Sequence, residues 1–219
     1  MGSRTYTLKM ASVTPLLMHN DDIAWSEKIQ KWQKDPANKD LSHRGDDRSP
    51  AWVWYGYCYF NDGVICLPSD NMMTMFRSAG AQLILKGSKT YKEPTQSQIV
   101  INELGWPLLV NGKPIQQETL KALIGENDFS KHIDLAESLG FQLFCKRAKI
   151  GQQKHIRVRP RFDSWECTGR LTVLDDELIN IDILKKILDI ASNRVGLCDW
   201  RPSSPRSPGS FGKFSYELQ

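Results

Sequence analysis

The amino-acid sequence predicts an α+β fold, an antiparallel sheet with its helices on one face. Three observations carry this. The chain opens with strand-like alternation at residues 5–13, with Tyr6, Leu8 and Met10 on one side. Helical periodicity follows in 69–83, where Met72, Phe76, Ala79, Gly80 and Leu83 recur at three- and four-residue spacing. The same alternation of strand and helix returns near the end, in 165–174, 180–193 and 213–218.

After the first strand, Pro15 breaks the chain before the apolar Leu16, Leu17 and Met18. Residues 20–50 are polar, highly charged and punctuated by Pro36, Gly45 and Pro50, which reads as an exposed insertion with a short helix from Ile23 to Gln33. Residues 51–60, AWVWYGYCYF, have the aromatic density of a strand buried on both faces. The turn Asn61-Asp62-Gly63 joins it to 64–67 as a hairpin. Ser69 or Asp70 caps the next helix, which is expected to run to about Gly87. Short strands are expected at 99–104 and 107–110, and short helices at 117–124 and 132–139. Residues 141–150 and 155–162 read as two strands joined across Gly151-Gln152-Gln153. A strand over 165–174, an amphipathic helix over 180–193, a Gly/Pro/Ser loop at 196–212 and a closing strand complete the chain. The order near both ends is the βαββαβ layout of a ferredoxin-like sheet, whose helix-free face serves many RNA-binding modules.

The 219 residues are 40% apolar and 25% charged, enough to bury an ordinary core. No apolar run is long enough to span a bilayer, and the first residues lack the layout of a secretory signal. A cytoplasmic protein without membrane contact is therefore expected. Five cysteines, odd in number and without a C-x-x-C pair, argue against a disulfide framework and a zinc site and read as small core residues. The net charge of +4 decides nothing by itself, but its distribution is uneven.

The strongest feature is the stretch 145–161, CKRAKIGQQKHIRVRPR. It holds Lys146, Arg147, Lys149, Lys154, Arg157, Arg159 and Arg161 with no acidic residue. Strand alternation puts Arg157, Arg159 and Arg161 on one face, about 6.6–7 Å apart, comparable to the spacing of phosphates along a nucleic-acid strand. Arginine grips phosphate with two donors at once. A solvated hairpin whose charges guard an edge is the plainer alternative. In the loop 194–214, Gly196, Gly209 and Gly212 suit close backbone approach to a ligand, Arg201, Arg206 and Lys213 add charge, and Trp200 and Phe211 offer stacking faces. Arg77 stands at the edge of the buried face of its helix. Catalysis has little support. The four histidines are scattered, the doublets Asp46-Asp47 and Asp175-Asp176 read as solvated loop carboxylates, and no phosphate loop, dinucleotide fingerprint or nucleophile elbow occurs. No metal or cofactor is expected.

Three stretches carry a resemblance: VTPLLMHN (13–20), LPSDNMMTMFRSAGAQL (67–83) and RVGLCDWRPSSPRSPGSFGKFSYEL (194–218). Together they resemble the repeat-associated (RAMP) superfamily of CRISPR systems, in particular the backbone subunit that lines up along the guide RNA, and related phage proteins. Asp70 and Met75 stand where that family's helix motif has glycines, and the chain is short for a full backbone subunit. The resemblance implies a palm formed by the sheet, a finger at 20–50 and a thumb at 141–162 reaching toward the adjacent subunit. Arg77, the basic hairpin and the 196–213 loop would hold the RNA backbone. The expectation is a non-catalytic protein that polymerises along single-stranded RNA, with copies of itself and other CRISPR effector subunits as partners. Three alternatives stand beside it: a phage protein coating single-stranded DNA, a metal-independent repeat-processing endoribonuclease using His19 or His155, and a structural or inhibitory protein that mimics a backbone subunit and binds other members of the complex.

Overall fold

The computed structural model describes residues 2–43, 45–150, 153–205 and 208–219. The chain opens with β1 (Arg4–Ser12), the short β2 (Leu16–Leu17) and helix α1 (Ile23–Lys34). A 3-10 turn over Val53–Tyr57 leads to the hairpin β3 (Phe60–Asn61) and β4 (Val64–Pro68), then to α2 (Ser69–Gly80). Next come the small hairpin β5 (Ile84–Lys86) and β6 (Lys89–Thr90), and α3 (Lys92–Gln98). The middle holds β7 (Ile99–Ile101), β8 (Gly105–Pro107), β9 (Leu109–Val110), β10 (Lys113–Pro114), α4 (Gln117–Lys121) and α5 (Phe129–Ser138). The long hairpin β11 (Gln142–Ile150) and β12 (Gln153–Phe162) precedes β13 (Glu166–Val173), α6 (Ile181–Ile190) with a π turn over Ala191–Val195, and β14 (Phe214–Leu218).

The fold is mixed α+β with antiparallel sheets. In the main sheet β1 lies between β13 and β14, and β13 also pairs with β7 and β9. Tyr6, Leu8 and Met10 of β1 turn inward beside Cys167, Leu171 and Val173 of β13, as the alternation predicts. Helices α2 and α6 cover that side with Met72, Phe76, Leu184, Ile187 and Leu188, all fully buried. The opposite face carries Thr5, Thr7, Lys9, Thr168, Arg170 and Glu217 and is exposed or half-buried. Among the described residues no helix is long and apolar enough to cross a membrane.

Local chemistry explains most element ends. Asp22, Asp128 and Asn180 cap α1, α5 and α6 by accepting from backbone N–H groups of the first turn, which have no partner within the helix. Helix α2 differs from expectation at both ends. Its cap is Pro68, with no side-chain bond, and it stops at Gly80, not near Gly87. A side chain at Gly80 would meet the Tyr91 carbonyl at 2.7 Å, so only glycine fits where the start of α3 crosses the last turn, and Gly87, at φ 59°, turns the hairpin β5–β6.

Residues 51–60 correct a second expectation. Ala51 to Gly56 are buried, but as 3-10 turns, with Val53, Tyr55 and Cys58 N–H each donating to the carbonyl three residues back. Aromatic density signalled burial; it carried no period of two. Gly56 lies beneath the Trp25 indole, where an added Cβ would come within 1.9 Å. The segment 20–50 is likewise less exposed than its composition suggests: Ile29, Asp47, Ser49 and Pro50 are buried. Four of the five cysteines are buried and Cys145 is exposed; all are free.

Candidate nucleic-acid interface

The long hairpin carries most of the cations singled out in the sequence, and its pairing is regular, with Lys146 opposite Arg157 and Phe144 opposite Arg159. Strand alternation therefore places Arg157, Arg159, Arg161, Lys146 and Phe144 on one face. That face is not the open row of guanidinium groups expected. Distant segments fold onto it and supply carboxylates.

Residues 45–47 run beside β12, the Ile156 N–H donating to the Gly45 carbonyl and the Asp47 N–H to the Ile156 carbonyl. This brings Asp47 to Arg157 at 2.7 Å and to Arg159 at 3.3 Å. The Val158 N–H and the Tyr57 hydroxyl also donate to Asp47. Asp199, from the C-terminal loop, accepts from Arg159 Nε at 3.1 Å. Arg159 is 6% exposed, donates further to the Val158 carbonyl and packs 4.6 Å from the Tyr57 ring centroid. A charge this buried persists only when paired and hydrogen-bonded, so Arg159 is a structural node that holds the hairpin β11–β12, the 45–47 segment and the C-terminal loop together. Arg161 pairs with Asp163 at 2.7 Å, just past the acid-free stretch. The three arginines are thus compensated by acids 110, 40 and 2 residues away. Asp47 is no solvated loop carboxylate, and Asp46 is engaged by Arg48 at 2.7 Å.

A different constellation stays open. Phe144, Trp200 and Phe211 meet with ring centroids 6.0, 5.9 and 6.3 Å apart. Lys146 Nζ sits 4.4 Å over the Trp200 ring, and Arg161 lies 5.6 Å over Phe144. A cavity of about 380 Å³ opens here, lined by Lys146, Arg147, Ala148, Trp200, Pro208, Gly209, Ser210 and Phe211. Lys146, Arg147 and Lys154 are exposed and make no ion pair among the described residues. Cys198 and Trp200 hold positive φ angles of 60° and 48°, a conformation that costs energy in residues with side chains. The Asp199 carboxylate, bound to Arg159 and accepting from the Trp200 N–H, sustains that turn and presents the indole to the groove.

The remaining candidates fall elsewhere. The glycines were expected to offer free N–H groups, but Gly196, Gly209 and Gly212 donate to the carbonyls of Ala191, Arg201 and Pro15. They are small because the chain crosses itself: a Cβ at Gly212 would lie 2.1 Å from the Leu197 carbonyl oxygen. Arg201 is turned into its own loop, toward the Cys198 carbonyl and Ser203 Oγ. Lys213 joins the end of the sheet, its N–H donating to Thr14 Oγ1. Arg77 is exposed in the last turn of α2; Asn71, six residues or about 9 Å back along the axis, donates to Cys198 Sγ of the loop. The side chain of Lys149 and the whole of Arg206 lie outside the described residues. The helix-free sheet face has no aromatic ring on β1 or β13 to stack a base.

His19 lies 3.8 Å from Asp199, with Arg159 Nη2 3.4 Å from its Nδ1. Burial, then the Arg159 charge, hold its pKa below the usual histidine value. Arg159 and Asp199 both face Nδ1, so that nitrogen is engaged within the protein. His155 turns its Nδ1 into protein against Gly45, without a hydrogen-bond partner among the described residues. Sequence reasoning missed Phe144, Asp47 and Asp199. Phe144 was legible, as an aromatic two residues before Lys146 on the same strand face; the two aspartates carried no signal of their destination. No protein-family model matches the chain, and no curated protein is significantly similar to it.

Proposed function

We propose that the chain is a non-catalytic binder of single-stranded nucleic acid, RNA in the first instance, and that the strand lies in the groove between the hairpin β11–β12 and the C-terminal loop. One observation carries the reading: Trp200 and Phe211, with Phe144 packed against both rings, line one open cavity together with the exposed Lys146 and Arg147. Bases stack on aromatic faces whatever their identity, and cations beside them meet the phosphates, which is sequence-tolerant single-strand recognition. The strand order β14–β1–β13–β7, with α2 between β1 and β7 and α6 between β13 and β14, supports the ferredoxin-like palm of a RAMP protein. On this reading the 20–50 segment is the finger, the hairpin is the thumb, and copies line up along the strand in the cytoplasm.

The test is fluorescence anisotropy of a labelled oligouridine and its deoxy counterpart. Trp200→Ala is expected to weaken binding about 5- to 100-fold, since a stacked base contributes about 1–3 kcal/mol. Tighter binding of the ribose strand would assign RNA, because only a 2′-OH contact separates the two. Unchanged affinity in Trp200→Ala and Phe211→Ala would place the strand elsewhere.

A further inference from the structure

Among the described residues β14 is the last strand of its sheet and pairs with β1 alone. Its odd-numbered residues turn toward β1: Gln219 exchanges both hydrogen bonds with Thr7, and the Lys213 carbonyl accepts from Val13. In an antiparallel ladder such residues alternate with outward-facing ones, so the N–H and C=O groups of Phe214, Tyr216 and Leu218 point away from the sheet. Among the described residues none of these groups has a backbone partner. Proteins usually blunt such an edge with proline, a bulge or charges of one sign. On the far side β10 is two residues long and contains Pro114. β14 has no proline and pairs with β1 without a bulge.

The charges along this edge select an occupant. By alternation Lys213, Ser215 and Glu217 share the helix-free face. Glu217 stands opposite Lys9 in register, yet Lys9 reaches the other way, to Glu166 at 3.8 Å. Neither Glu217 nor Lys213 makes an ion pair among the described residues. We propose that β14 pairs antiparallel with the β14 of a second copy, about a two-fold axis through Ser215, joining two sheets into one. In this register Phe214 and the partner's Tyr216 exchange both outward hydrogen bonds, and Glu217 faces the partner's Lys213 in both directions. The adjacent allowed register, centred on Tyr216, leaves both charges without a directly opposed partner. Because the contact is isologous it closes at two copies and consumes both free edges. The contact needs no nucleic acid and goes beyond the binding role proposed above; failure of either reading leaves the other standing.

The test is sedimentation of nuclease-treated protein shown by absorbance to be free of nucleic acid. The mass is expected to rise with concentration from 25.0 kDa to twice that value. Glu217→Lys, at an exposed position, sets like charges face to face twice and is expected to weaken the dimer about tenfold. Adding Lys213→Glu to it reverses both partners and is expected to restore the dimer. Ser215→Glu, also exposed, opposes two carboxylates at the axis and is expected to abolish it, with an unchanged melting temperature of the monomer. A monomer at all concentrations, or a dimer indifferent to Ser215→Glu and Glu217→Lys, overturns the proposal.

Discussion

In an Asp47→Ala variant a single carboxylate is lost and four donors lose their acceptor: Arg157 at 2.7 Å, Arg159 and the Tyr57 hydroxyl at 3.3 Å, and the Val158 N–H at 3.2 Å. Asp47 is 7% exposed, so its carboxylate is largely shielded from water. Removing one partner of a buried ion pair costs about 3–5 kcal/mol, and an orphaned buried N–H about 1–3 kcal/mol. Arg159 keeps Asp199, and the terms are not additive, so the expected loss is about 4 kcal/mol. For a chain of this size that lowers the melting temperature by about 8–16 °C. Urea unfolding followed by tryptophan fluorescence measures it directly. Arg157→Ala, at a site with 29% of its side chain exposed, is expected to lose only about 1 kcal/mol. A loss below about 1 kcal/mol in Asp47→Ala would mean that the carboxylate behaves as an exposed surface partner and that the hairpin β11–β12 is not clamped by buried charge.

Three further outcomes follow from the same geometry. Lys146→Ala together with Arg147→Ala is expected to flatten the dependence of log binding constant on log salt by about 0.7 per lost phosphate contact, read from anisotropy titrations. Gly212→Ala, with φ 73° and a carbonyl oxygen 2.1 Å from the new methyl, is expected to destabilise by more than about 2 kcal/mol in the same urea assay. His132 is fully buried, accepting from Trp54 Nε1 and donating to the Glu126 carbonyl, and burial holds its pKa below the usual histidine value. The unfolded chain therefore binds its proton more readily, so the stability from a neutral His132 is complete above about pH 6.5 and lost as pH falls toward the folded value, with a slope of at most about 1.4 kcal/mol per pH unit. Urea midpoints at pH 7, 6 and 5 are expected to decline, and less steeply in His132→Gln; an equal decline in both would assign the proton elsewhere.

Much of the architecture was legible because it depends on local pattern. The alternation of Tyr6, Leu8 and Met10, the helical spacing of Met72, Phe76 and Ala79, and the turn Asp62-Gly63 each specify an element within a few residues. The strand expected over 51–60 failed because an unbroken aromatic run reports burial without direction; only packing against Trp25 selects the 3-10 turns. The candidate groove was half legible. Trp200 and Phe211 stood out as rings in a basic loop, and Lys146 and Arg147 as cations in a basic strand; nothing local joined the two stretches across 50 residues.

The sequence by itself determined that this chain builds a mixed α+β core with a basic hairpin and an aromatic, glycine-rich C-terminal loop, because periodicity and turn chemistry act over a few neighbouring residues. Tertiary structure alone decided which charges remain available. Arg157 and Arg159 look identical to Lys146 and Arg147 in one dimension, yet Asp47 and Asp199 neutralise the first pair and leave the second beside the rings. Electrostatic compensation works through space over a few ångströms, and the acids that supply it here arrive from 110 and 40 residues away.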